Sequence, residues 1–185
     1  LTKLIIDPGH GGNDSGAVHE NNQEKNFTLD ISQRICDYLQ NHYIVDILMT
    51  RTTDVYLSLA ERTDFANHQQ ADYFISIHIN AGNGTGWESY IWDGPLDQET
   101  IDAQNTIHST IMNRIGPTYG VIDRGKKRAN FHVLRETTMP AILLENLFID
   151  SENDLNLLLN DQFIDDLSHA IGEGLAKALS LPQKS

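Results

Sequence analysis

The chain has little positive charge. Thirteen lysines and arginines stand against 26 aspartates and glutamates, a formal net charge of −13 over 185 residues. Nucleic-acid binders carry basic patches that neutralise phosphates, so this balance argues against nucleic acid. It argues equally against unaided adhesion to an anionic polymer or membrane surface. No apolar run approaches the ~20 residues of a transmembrane helix. No signal peptide is present, and the first residue is Leu1, from which we expect an excised domain or a mature form. The single cysteine, Cys36, excludes an intrachain disulfide. It falls between Ile35 and Leu39 in a helical pattern, so a packed, inert thiol is expected. Internal repeats and low-complexity segments are missing as well. What is there, 39% hydrophobic and 21% charged residues, fits a soluble globular chain with a real core. We expect one domain over 1–180 and a C-terminal tail at 181–185.

Leu4-Ile5-Ile6 is an apolar run cut short by Asp7-Pro8-Gly9, the pattern of a buried strand ending in a tight loop. His10 follows at once, and in open α/β sheets that edge is where ligands bind. The loop through Gly16 is rich in glycine. A phosphate cradle would end in Gly-Lys-Ser or Gly-Lys-Thr and open a helix, and neither is present. Asp14 would also repel phosphate, so a flexible rim around His10 is expected instead.

Four-residue periodicity predicts helices over 22–41, 57–69, 97–115 and 163–179. Strands are expected over 43–49, 73–79, 87–92 and 141–144, with a short one at 131–134. Ser151 with Asp154 resembles a capping box opening a short helix through Leu159. The stretch 116–130 reads as a loop holding a basic cluster of Arg124, Lys126, Lys127 and Arg128. That cluster is either plainly solvated or a grip on a substrate carboxylate. Strands alternating with helices predict an α/β fold. The expected architecture is three-layer αβα, a mostly parallel mixed sheet of about six strands with five or six helices.

Three of the strands run into ionisable residues: His10, His78 and Glu145. Glu24 opens the helix after the first. A histidine near the end of so apolar a strand is costly unless partnered. If the strands are parallel neighbours, all four side chains meet at one edge of the sheet. Two histidines and one carboxylate make three zinc ligands with one position left for water, whose pKa zinc lowers toward neutrality. A further carboxylate beside them can serve as general base and then general acid. Spacing alone does not assign the two glutamates. It also leaves open a pair of core histidines and a Glu24 that only complements the helix dipole.

These residues lie within a longer set of motifs: Ile6-Asp7-Pro8-Gly9-His10-Gly11-Gly12, Asp14 with Gly16-Ala17, Glu24-Lys25, and Thr50-Arg51 with Asp54. Leu59 with Arg62, Ala66-Asn67, Ala71-Asp72, Ser76-Ile77-His78 with Asn80, and Gly86 with Glu88 follow. The last are Arg124-Gly125, Val133-Leu134-Arg135, Met139-Pro140-Ala141, and Leu144-Glu145 with Phe148. In order and spacing the chain resembles, over nearly its whole length, the zinc-dependent N-acetylmuramoyl-L-alanine amidases of bacterial cell-wall turnover, the amidase-3 group. The resemblance implies His10, Glu24 and His78 as zinc ligands and a catalytic Glu145. It implies peptidoglycan as substrate and an extracellular, wall-associated site of action. It suggests Arg124 as a grip on a stem-peptide carboxylate, with Asn80 and Glu88 as further substrate or supporting contacts.

Two departures stand out. The family usually has glycine two residues after the catalytic glutamate, where this chain has Leu147, which could tilt the backbone or narrow the cleft. Some relatives also insert a helix that blocks the metal after the strand ending at Trp92. Here the connection is too short for one, so a constitutively open site is expected. The charge of −13 further suggests wall-binding modules elsewhere in the parent chain. The alternatives are a zinc peptidase acting within stem peptides, a non-catalytic wall-recognition module, and a metal-free structural domain.

Overall fold

The computed structural model describes residues 1–185. Strand β1 (Lys3–Pro8) is followed by a small hairpin, β2 (Val18–His19) and β3 (Asn22–Gln23). Helix α1 (Glu24–His42), β4 (Asp46–Met49), α2 (Leu59–His68), β5 (Tyr73–Asn80) and β6 (Trp87–Trp92) come next. The chain ends with α3 (Gln98–Tyr119), β7 (Asp123–Ala129), α4 (His132–Arg135), β8 (Ala141–Phe148), α5 (Glu152–Leu158) and α6 (Asp161–Ala178). The main sheet has the order β4-β1-β5-β8-β6-β7. The first four strands are parallel, β6 runs antiparallel to β8, and β7 is parallel to β6. This is the expected three-layer αβα arrangement with six helices.

Alternation along β5 divides its side chains between the two layers. Ile75, Ile77 and Ile79 join the larger core, built with α1, α3, α5 and α6. Phe74 joins the smaller core on the other face, with Ala66 of α2 and Val133 and Leu134 of α4. His78 shares this second face. The amino end of α2 reaches the carboxyl edge of the strands there, where Leu59 and Arg62 line a cavity with His10 and His78.

Several local expectations are corrected. Residues 116–130 are not a loop: α3 continues one turn to Tyr119, capped by Gly120 in the left-handed conformation, and Asp123–Ala129 is the edge strand β7. Residues 131–134 are not a strand but enter α4. Helix α1 begins at Glu24 rather than Asn22, because Asn22 and Gln23 pair with His19 and Val18. Helix α6 begins at Asp161, ahead of Phe163, with the Asn160 side chain capping Phe163 N–H at 3.0 Å. The reciprocal capping box belongs to Ser58 and Glu61. Ser151 does cap Asp154 N–H, but the Asp154 carboxylate turns to Thr85 and the Gly86 and Phe148 N–H groups. The segment after α6 is stitched to the end of α1, with Lys184 N–H bonded to the His42 carbonyl. Cys36 is half-buried, and burial pushes its thiol upward, as expected of an inert one. No helix is long and apolar enough to cross a membrane.

Candidate active site

Strand β1 stops at Pro8, and the loop that follows is tied down rather than a loose rim. Gly11 and Asp14 exchange backbone hydrogen bonds of 2.8 and 3.0 Å. Two buried arginines clamp its carbonyls: Arg51 donates to Pro8 and Gly9, and Arg62 to Pro8 and His10. Arg62 also pairs with Asp7, which accepts from Thr50 and Ser76 as well. A polar floor of this kind, with every charge partnered, holds His10 in a left-handed backbone conformation of φ 61°.

His10 meets a carboxylate at each ring nitrogen. Asp14 accepts from Nδ1 at 2.8 Å, and Nε2 lies 3.2 Å from Glu24 Oε2. Burial alone would lower the imidazole pKa, but the two carboxylates outweigh it and push His10 up to about 9. His78 Nδ1 lies 3.1 Å from Glu24 Oε1, and the two histidine rings meet edge to face at 5.0 Å. Its pKa is also raised: burial opposes the charge, and Glu24 prevails. Gly9 makes this approach possible, since a Cβ there would fall 2.4 Å from the His78 ring.

Glu24 is 4% exposed. Its Oε1 accepts from Ile79 N–H and its Oε2 from Ala17 N–H, both at 2.9 Å. The first contact follows from the topology. Odd residues of β5 bond toward β1, and β1 has already turned away at Gly9, so the Glu24 side chain occupies the vacated ladder position. Burial would raise the Glu24 pKa, but His10 and His78 hold it well below the usual carboxylate range.

Glu145 stands directly opposite His78 on β8 and opposite Glu88 on β6. It does not end its strand, which continues through a bulge to Phe148. Its Oε2 is sealed from solvent without a hydrogen-bond partner. Burial pushes its pKa up to about 7; His78 pulls it down, while Glu24 and Glu88 add to the rise. Leu147 occupies the bulge with φ 71°, a conformation glycine adopts freely. Its side chain is fully buried in the larger core, on the far side of the sheet, so it does not narrow the cleft. The bulge also frees the His78 carbonyl, which Asn146 Nδ2 takes at 3.1 Å while Asn146 Oδ1 accepts from Trp87 Nε1 at 2.8 Å.

His10, Glu24 and His78 each offer one ligand atom, all within 4.8 Å of one another. A two-histidine, one-carboxylate set suits zinc with an open coordination position. Asp14 behind His10 is the outer carboxylate such a ligand normally carries, so these residues fit the metal. Glu88, 2% exposed, is held by Arg124, Lys127, Asn80 and Tyr90, which places the Arg124 and Asn80 side chains around it rather than at the histidines. The sequence motifs leave Asp14 and Asn146 out of the expected site. The spacing of Asp14 from His10 was a usable signal; nothing local distinguished Asn146.

A family model described as N-acetylmuramoyl-L-alanine amidase (Amidase_3) matches residues 4–177. A sporulation-specific N-acetylmuramoyl-L-alanine amidase of Bacillus subtilis (strain 168) is 46% identical, over 100% of this chain and 71% of its own length. An endolysin of Bacillus phage SPP1 is 41% identical, over 100% of this chain and 69% of its own. Among solved structures, an N-acetylmuramoyl-L-alanine amidase from Clostridium difficile 630 superimposes with a TM-score of 0.90 at 34% identity, covering 97% of each chain. The catalytic domain of CwlV from Bacillus (Paenibacillus) polymyxa var. colistinus gives 0.88 at 31%, covering 98% and 99%. A model spanning nearly the whole sequence, with relatives above 40% identity along all of it, shows that this chain belongs to the N-acetylmuramoyl-L-alanine amidases.

Proposed function

We propose that the chain hydrolyses the amide between the lactyl group of N-acetylmuramic acid and L-alanine of the peptidoglycan stem peptide, with zinc held by His10, Glu24 and His78 and Glu145 as proton carrier. The observation that carries this reading is the convergence of three ligand atoms within 4.8 Å, one of them on His78, whose register partner on the neighbouring strand is Glu145, with its sealed, unpartnered carboxylate oxygen. Zinc in that set supplies Lewis-acid polarisation of the scissile carbonyl and acidifies water. The protein does the rest. Asp14 fixes the His10 ring, and the Ile79 and Ala17 N–H groups hold the two Glu24 oxygens. Glu145 takes a proton from the attacking water and passes it to the leaving nitrogen. The water oxygen stays on the acyl carbon and the C–N bond breaks, giving a lactyl carboxylate and a new L-alanine amino terminus. Arg124 grips a stem-peptide carboxylate, with Glu88 and Asn80 setting its position.

In this reading residues 1–180 form the catalytic domain and 181–185 its tail, and the protein acts outside the cell as an autolysin. At −13 it reaches an anionic wall through binding modules elsewhere in the parent chain. Residues 93–97 link β6 directly to α3, too short a stretch for a blocking helix, so the site works without an activating partner. Muropeptide release from purified peptidoglycan, with and without chelator, tests the whole reading. New L-alanine amino termini that vanish with chelation and return with zinc are expected. Amino termini of other residues would assign a peptidase, and stable wall binding without release would assign a recognition module.

A further inference from the structure

If the amide is cut beside His10, His78 and Glu145, as proposed above, its two sides leave the site in opposite directions. In the intact substrate one side is a neutral sugar; the other is a peptide that carries carboxylates. The two flanks of the centre differ in the same sense. Toward β7, Arg124 and Lys127 share a single carboxylate, Glu88, which leaves a surplus positive charge. Toward β4, residues 55–59 form a lip with no free cation. Arg51 and Arg62 below it are buried and committed to backbone carbonyls, and Lys25 pairs with Asp54. What the lip exposes is apolar: Val55 is 46% exposed, Tyr56 52% and Leu59 53%.

Singly, such residues need no explanation. Here they fall together and are fastened to the His10 loop. At Gly11, φ 134°, a Cβ would lie 2.2 Å from the Val55 carbonyl oxygen, so the two segments touch through bare backbone. A cavity of about 80 Å³ opens between Tyr56, Leu57 and Leu59 on one side and His10 and His78 on the other. An exposed aromatic and aliphatic cluster at the rim of a cleft marks a ligand surface.

We propose that Tyr56, with Leu57 and Leu59, forms the subsite for the muramoyl side of the substrate. The Tyr56 ring covers the apolar face of the pyranose, and the two leucines cover the lactyl methyl. The peptide then leaves toward Lys127 and Arg124. Strands β1 and β7 stand four positions apart in the sheet, ~19 Å, far enough for sugar and peptide to occupy separate ends.

The test compares two substrates on the zinc-loaded protein: N-acetylmuramoyl-pentapeptide and the sugar-free D-lactoyl-pentapeptide. Tyr56→Ala is expected to lower kcat/KM about tenfold on the first, chiefly through KM, with a much smaller change on the second. Tyr56→Phe, which keeps the ring, restores most of the loss. Equal losses on both substrates, or no loss on the muramoyl one, overturn the subsite. If the wild type cleaves neither, the proposed reaction fails instead. Calorimetric affinity of Glu145→Gln and of Tyr56→Ala/Glu145→Gln for the muramoyl peptide then decides the lip separately: a tenfold difference sustains it, and equal affinities reject it.

Discussion

Glu88 and Glu145 face each other across β6 and β8, yet their surroundings are opposites. Glu88 accepts from Arg124 Nε, Asn80 Nδ2 and Tyr90 Oη at 2.8, 2.8 and 2.9 Å, and from Lys127. Burial alone would raise its pKa, but these donors hold it below the usual carboxylate range. Glu145 has a sealed, unpartnered oxygen and is pushed up to about 7. Partnering thus decides which of two neighbouring carboxylates is available for chemistry. One has its lone pairs occupied and its proton affinity suppressed; the other keeps both free for a proton in transit.

The largest effect expected from breaking this contrast is on rate. Glu145→Gln should lower kcat/KM by roughly 10³-fold, with zinc content and urea midpoint unchanged, because no protein hydrogen bond is lost at Oε2. Activity within tenfold of wild type would remove Glu145 from the mechanism. Glu88→Ala should act on stability and, through the Arg124 it positions, on KM rather than on the chemical step. It strands Arg124 and Lys127, and should cost about 3 kcal/mol in urea unfolding. That is the low end for a broken buried pair, because both cations keep a third of their surface in water. Zinc content per folded molecule should be kept; its loss would mean that the two carboxylates are not separable.

Leu147 tests whether the bulge beside Glu145 belongs to the chemistry or to the core. Leu147→Gly loses a buried leucine, roughly 3 kcal/mol, and relieves about 1 kcal/mol of left-handed strain. The net expectation is a loss of about 2 kcal/mol in unfolding free energy, with kcat unchanged. A change in kcat at full zinc loading would show that the side chain also aims Glu145.

What was legible beforehand follows the same division. His78 and Glu145 stand out because each interrupts or closes a strongly apolar strand. The sheet class followed from the alternation of elements. Strand β7 was hidden, since Asp-Arg-Gly-Lys-Lys-Arg-Ala has no apolar alternation. An edge strand needs only one ladder, and its exposed cations keep the other side from pairing. Val133 and Leu134 were misread because two adjacent apolar residues suit one helical turn as well as a strand. Asp14 lies four residues from the His10 it holds, a spacing the sequence does show, whereas Asn146 acts through contacts to His78 and Trp87 on other strands, which no local pattern encodes. Glu24 shows the limit most clearly. Its place in the first turn of α1 fits the dipole, but its contact with Ile79 exists only because β1 stops one residue short.

The smallest predicted effect concerns two histidines. His10 has a carboxylate at each nitrogen and is raised to about 9. His108, 5% exposed, bonds Ser89 Oγ and Asp123 Oδ1, both at 2.8 Å, and burial lowers its pKa despite Asp123, with Lys126 adding to the fall. The sign follows from linkage. Unfolded His108 binds a proton near pH 6.5 while the folded one resists, so its stabilising contribution is complete above about pH 6.5 and is lost as pH falls through the depressed folded value. His108→Gln has no such titration. The stability difference between wild type and His108→Gln, from chemical unfolding at several pH values, should therefore be constant from about pH 7 to 8 and shift against the wild type below 6.5, by under ~1 kcal/mol. A difference that moves the other way would mean that Asp123 dominates burial, and that His108 is held as an ion pair rather than as a neutral imidazole.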